Sequence, residues 1–165
     1  MKQRNMSILG VSIGAKRNGV AVISYETLIH WKVHTTPGTW SDKKLQCIVD
    51  RYESYIKKYM VKWVLIKVPP YTHHSLAVNA VLHHLLQLCQ RHGCMVEYKT
   101  KASLQEQIPE VQRPKELMQY LTNRYPILIH EQEKELKNKQ AYQVKMFEAV
   151  LAAHYMHQQI SNNKK

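Results

Sequence analysis

Lys145 and Glu148 stand three residues apart in Lys145-Met-Phe-Glu-Ala-Val-Leu-Ala152, so on a helix their side chains share a face. Such a pair is either a surface ion pair worth about a few tenths of a kcal/mol or part of a phosphate site with lysine as a point charge. The residues alone leave both readings open. Lys16 and Arg17 lie within Gly14-Ala-Lys-Arg-Asn-Gly19, which matches neither a P-loop nor a dinucleotide fingerprint. On a turn they are either an exposed basic pair or contacts to a phosphate backbone. The doublets His73-His74 and His83-His84 invite a zinc reading. Adjacent side chains on a helix diverge, however, and no Cys or acid stands at metal-site spacing, so no zinc is expected. Tyr52, Tyr55 and Tyr59 read as helix packing rather than a stacking platform, and Cys89 and Cys94 as small buried apolar groups.

The elements that must position these groups follow from periodicity. Ser7 to Ser24 is two short apolar runs flanking a glycine-punctuated loop, and glycine tolerates positive φ there, so a hairpin is expected with Gly14 and Gly19 at its turn. Thr27 to Thr36 alternates in part and suits a third antiparallel strand with one wetter face. Ser41 reads as an N-cap with Asp42 at the positive end of a helix dipole, opening an amphipathic helix over 41–59. Residues 62–68 form a buried strand stopped by Pro69-Pro70. A helix over 75–91 closes at Gly93, and a strand follows over 94–99. Beyond it the pattern predicts a helical turn at 103–107, a helix over 113–124 with Pro114 in its first turn, a solvated mixed-charge stretch at 131–139, and a last helix over 139–160. The order β-β-β-α-β-α-β gives an α/β fold: a mixed five-stranded sheet, three strands in an antiparallel meander and the rest in parallel βα units, with helices on both faces.

Length and composition set the class. A chain of 165 residues that is 44% hydrophobic is expected to form one domain over residues 1–160, with 161–165 a disordered basic tail. No apolar run is long enough to cross a bilayer, and the stretch after Met1 is too interrupted for a signal peptide. Three cysteines, Cys47, Cys89 and Cys94, form neither a Cys-x-x-Cys pair nor an even set, which suits a reducing cytoplasm. Lys and Arg total 24 against 12 Asp and Glu, a net charge of +12, and the polyanion such a surface most often meets is nucleic acid.

The run from Ser7 to Ser24, with the element order that follows it, resembles the ribonuclease H-like nucleases, especially the RuvC Holliday-junction resolvases and their YqgF-like relatives. In that family the first strand runs into Gly-x-Asp-x-Gly, whose aspartate binds a catalytic metal. Further acids come from the end of the fourth strand and from two positions three apart on the last helix. Carried over residue by residue, these positions fall on Ser12 in Gly10-Val-Ser-Ile-Gly14, on Lys67, on Lys145 and on Glu148, the only acid retained as a catalytic candidate. Residues 60–72 hold no acid, so a small shift of alignment does not restore the second. Two-metal phosphodiester hydrolysis needs several carboxylates around ions about 4 Å apart, and magnesium selects oxygen ligands. Like charges 4 Å apart repel by roughly 4 kcal/mol at an effective dielectric of about 20, so nearby ammonium groups would oppose the ions. The resemblance therefore implies a degenerate nuclease that needs no cofactor and binds structured or branched nucleic acid, DNA first, without cutting it. Lys67 and Lys145 would take the place of the metals, and Lys16 and Arg17 would touch phosphates. Two rivals stand beside it: a Mg²⁺-dependent endonuclease in which Glu97 or Glu26 joins Glu148, and a protein-interaction scaffold. A homodimer is implied only by analogy with the resolvases. The hairpin also resembles the phosphate loop of actin-like ATPases, whose two-lobed cleft this chain is too short to build.

Overall fold

A computed structural model describes residues 7–14, 16–36, 38–70, 74–139 and 141–163. Strands β1 (Ser7–Ser12), β2 (Arg17–Ser24) and β3 (Thr27–Thr35) form an antiparallel meander. Helix α1 (Asp42–Lys58) leads to β4 (Trp63–Val68), and α2 (Leu76–Arg91) leads to β5 (Met95–Thr100). The sheet order is β3-β2-β1-β4-β5, with β4 parallel to β1 and β5 parallel to β4. Then come α3 (Lys101–Gln107), α4 (Pro114–Arg124), α5 (Ile129–Lys137) and α6 (Val144–Asn162). This is the mixed five-stranded α/β fold expected from the element order. Among the described residues no helix is long and apolar enough to cross a membrane.

The two-residue period of a strand sorts β1 and β4 between two cores. Leu9, Val11, Val64 and Ile66 pack with α1 and α2, whereas Ile8 and Leu65 pack with α6. The same parity turns Gly10, Ser12 and Lys67 toward α6. Helix α1 starts at Ser41, whose hydroxyl accepts the Lys44 N–H at 3.3 Å, and α2 starts at Ser75, whose hydroxyl accepts the Val78 N–H at 3.2 Å. Beyond the end of α2, Gly93 takes φ +68, the left-handed conformation expected of a residue that turns the chain into β5.

Helix α6 is buried on almost every side, from Met146 through His157, because it lies between the sheet and α4. Small residues let it come close: Ala149, Ala152 and Ala153 are fully buried. The glycines of the hairpin serve this contact rather than positive φ, which neither Gly14 nor Gly19 adopts. A Cβ on Gly19 would lie 1.8 Å from the Lys145 carbonyl oxygen, and one on Gly10 would lie 2.1 Å from that of Ala149. On the far side of α6, His154 is bonded to the Tyr125 hydroxyl at 2.8 Å and to that of Tyr120 at 3.3 Å. Burial first, then the neighbouring Arg124, pushes this imidazole down to about 4, so it is neutral at neutral pH.

Three further expectations need correction. The alternation of β3 breaks at Ile29, where a bulge opposite Val22 and Ile23 shifts the register, so Leu28 and then Trp31 and Val33 face α6. The charged stretch 131–139 is not simply solvated: most of it is α5, and Glu135 is only 8% exposed. Its carboxylate accepts the Tyr142 N–H at 2.9 Å and the Gln143 N–H at 2.7 Å, satisfying donors ahead of α6. Finally, Ser161 and Asn162 belong to α6 rather than to a tail, while Lys164 and Lys165 lie outside the described residues.

Candidate nucleic-acid interface

Ser12 and Lys67 are register partners at the C-terminal ends of the parallel strands β1 and β4. The Ile13 N–H continues the pairing to the Lys67 carbonyl oxygen at 3.1 Å. Helix α6 crosses above these ends with Lys145 and Glu148 in its first turns, one helical step apart on one face. The four side chains meet. Lys67 Nζ lies 2.6 Å from Glu148 Oε2, Lys145 Nζ lies 3.6 Å from Oε1, and the Ser12 hydroxyl donates to Oε1 at 3.4 Å.

The cluster is graded in exposure. The side chains of Lys67 and Glu148 are 6% and 10% exposed, that of Lys145 28%. Lys67 and Glu148 thus form a buried pair of good geometry, and Lys145 adds a second ammonium on the solvent side. Burial lowers the pKa of Lys145, the Glu148 carboxylate opposes that shift, and the positive charges of Lys67 and Lys101 reinforce it. One carboxylate shared by two lysines leaves the cluster net positive, a field that favours negative over positive charge beside it.

An open groove of about 530 Å³ lies against this cluster, lined among others by Gly14, Lys16, Arg17, Tyr142, Lys145 and Glu148. Lys16 is exposed. Arg17 donates to the Ala141 carbonyl oxygen at 2.6 Å, and its guanidinium carbon lies 4.9 Å from the centre of the Tyr142 ring. The start of β2 is thereby fastened to the loop before α6, and Lys16, Arg17 and Lys145 line one concave surface.

Lys101 was not among the expected residues. It opens α3 directly after β5, lines a small cavity with Lys67 and Glu148, and adds to the field on Lys145. The signal that could have found it is positional: the end of a third parallel strand lies beside the ends of β1 and β4. The acids considered for relocation are not part of the cluster. Glu26 lies in the β2–β3 turn beside Ser24, which pairs with Ser7 at the far end of β1, about 17 Å from Ser12 at a strand rise of about 3.3 Å per residue. Glu97 pairs with Leu65, whereas the partner of Lys67 is Lys99. Among the described residues no three His, Cys, Asp or Glu side chains are grouped as a metal cage. The rings of His83 and His84 meet edge-on at 5.6 Å, His74 bonds the Pro69 carbonyl oxygen at 2.8 Å, and His73 lies outside the described residues. Tyr52 is buried, and Tyr55 packs on Tyr59 and His30.

No protein-family model and no curated protein sequence matches the chain. Solved structures do. RuvC of Thermus thermophilus, in complex with Holliday junction substrate, aligns with a TM-score of 0.69 at 14% identity, covering 94% of this chain and 96% of that one. The yeast mitochondrial Holliday junction resolvase Ydc2 aligns at 0.58 with 13% identity, covering 96% of this chain and 81% of that one. The fowlpox virus resolvase in complex with Holliday junction DNA aligns at 0.57 with 12% identity, over 92% and 99% of the two chains.

Proposed function

The chain has the RuvC-like ribonuclease H-like fold, and we propose that it uses that fold to bind structured or branched nucleic acid without cutting it. The observation that carries this reading is the pairing of Lys67 with Glu148 at 2.6 Å beneath Lys145, at the strand ends where a nuclease of this fold would gather carboxylates. The structural relatives named above are resolvases, two of them in complex with junction DNA, which supports a nucleic acid as the ligand.

A pair of magnesium ions does not fit the donor set. Ser12 offers a neutral hydroxyl, Lys67 and Lys145 offer ammonium groups, and the cluster's one carboxylate is already ion-paired with both lysines. A phosphate fits better. It carries negative charge toward a net-positive cluster, and Lys145 can turn from Glu148 to a phosphate oxygen while Lys67 keeps the carboxylate paired. Lys16 and the net charge of +12 extend the attraction along a backbone. Ligand selection by this surface is electrostatic at first contact.

The reading requires affinity to fall steeply with salt. On duplex DNA each neutralised phosphate adds about −0.9 to the slope of log K against log salt, and Lys145→Ala should lower that slope by about one unit while weakening all probes. Gel retardation of duplex, four-way and single-stranded DNA over a salt series measures it. Absence of retardation for every probe at low salt would favour a protein-interaction scaffold instead.

A further inference from the structure

Tyr142 stands two residues ahead of α6, is 38% exposed and lines the groove that also holds Lys16 and Lys145. Its turn is fastened at several points. Its own N–H and that of Gln143 donate to the two oxygens of Glu135, a carboxylate withdrawn from water and 8% exposed. Arg17 bonds the preceding carbonyl, of Ala141, and sets its guanidinium over the Tyr142 ring, 4.9 Å from the centroid. The ring is therefore a fixed aromatic surface within a basic groove, and fixing it beforehand reduces the ordering cost of using it.

We propose that Tyr142 is a base-stacking shelf: an unpaired nucleobase lies on the ring face that Arg17 leaves open, while the adjoining phosphate is held by Lys145 and Lys16. The inference rests on the nucleic-acid reading above and adds to it the feature that tells branched from continuous duplex. Every base has a π-face, so stacking on a tyrosine needs no particular sequence. In a continuous duplex those faces are covered by neighbouring base pairs. At a branch point, bulge or single strand they are available without the cost of unstacking. The lysines read phosphate, which all nucleic acids share. Tyr142 supplies the difference between them.

The test compares the full chain with Tyr142→Ala, Tyr142→Leu and Tyr142→Phe on two DNA probes of equal length, one fully paired and one carrying a fluorescent adenine analogue at an unpaired position. The expected result is quenching of the analogue by the wild type and by Tyr142→Phe, lost in Tyr142→Ala and Tyr142→Leu. Affinity for the unpaired probe should fall about 5- to 100-fold in Tyr142→Ala and Tyr142→Leu, with the paired probe nearly unchanged. Tyr142→Leu keeps an apolar contact for Arg17, so it carries the test should alanine loosen the turn. Equal losses on both probes would make the ring a support for the loop and overturn the proposal, as would unchanged quenching. A wild type that binds neither probe removes the nucleic-acid reading itself, an outcome distinct from failure of the shelf.

Discussion

Replacing Glu148 by alanine is expected to destabilise the fold by about 3–5 kcal/mol, because it strands the Lys67 ammonium, 6% exposed, with its carboxylate removed. At this chain length that lowers the melting temperature by on the order of 10 °C. The cost is that of an uncompensated buried charge rather than the net worth of the pair. The double variant Glu148→Leu with Lys67→Met should therefore recover most of it, since well-packed apolar replacements of buried ion pairs are often neutral. Lys145→Ala alone should cost little, its amine being partly exposed and 3.6 Å from a carboxylate that Lys67 still satisfies. Thermal melts of the four proteins check the order. Equal stability of Glu148→Ala and the wild type would show that the buried pair is not formed as described.

Gly19→Ala should be as damaging for a different reason. Its Cβ would stand 1.8 Å from the Lys145 carbonyl oxygen, a backbone atom with no rotamer to give, so the start of α6 must lift from β2. Overpacking of a core typically costs about 1–3 kcal/mol, and a clash with helix backbone is expected at or above the top of that range. The displacement also carries Lys145 and Glu148 away from Lys67. Gly93→Ala is the useful contrast: no atom lies within 4 Å of its Cβ, and only its φ of +68 is strained, so about 1–2 kcal/mol is expected. Denaturant midpoints that rank Gly93→Ala as the more damaging would contradict the close approach of α6 to the sheet.

The two variants mark where the sequence was readable. The hairpin, its order among the strands and the cap Ser41 were legible because each rests on local chemistry: short apolar runs, alternation, and a hydroxyl before a helix. The convergence of Lys67 with Glu148 was legible only through resemblance to a family whose site lies at strand ends. Parity supports it, since Lys67 shares the face of Leu65. The role of Gly19 was misread, because a glycine needed for close approach and one needed for positive φ look alike in sequence. Glu135 was hidden among the solvated charges of 131–139, where nothing local distinguishes the carboxylate that accepts two N–H groups from those facing water. The bulge at Ile29 escaped because it shifts alternation by one residue within an otherwise regular strand. Lys101 depends on β5 lying beside β4, a long-range pairing that composition does not announce.

The proposal is that Lys145, seated on α6 over the strand ends and backed by the Lys67–Glu148 pair, holds phosphate where a nuclease would hold metals. Its most direct measurement is incubation of a labelled four-way DNA junction with the purified chain in Mg²⁺ or Mn²⁺, retardation and strand scission being read from the same samples. Glu148→Gln is carried alongside, below its own melting temperature. The account predicts a retarded junction whose strands stay intact with both proteins. Strand cleavage by the wild type that disappears in Glu148→Gln would contradict it, because the single carboxylate would then be serving catalysis.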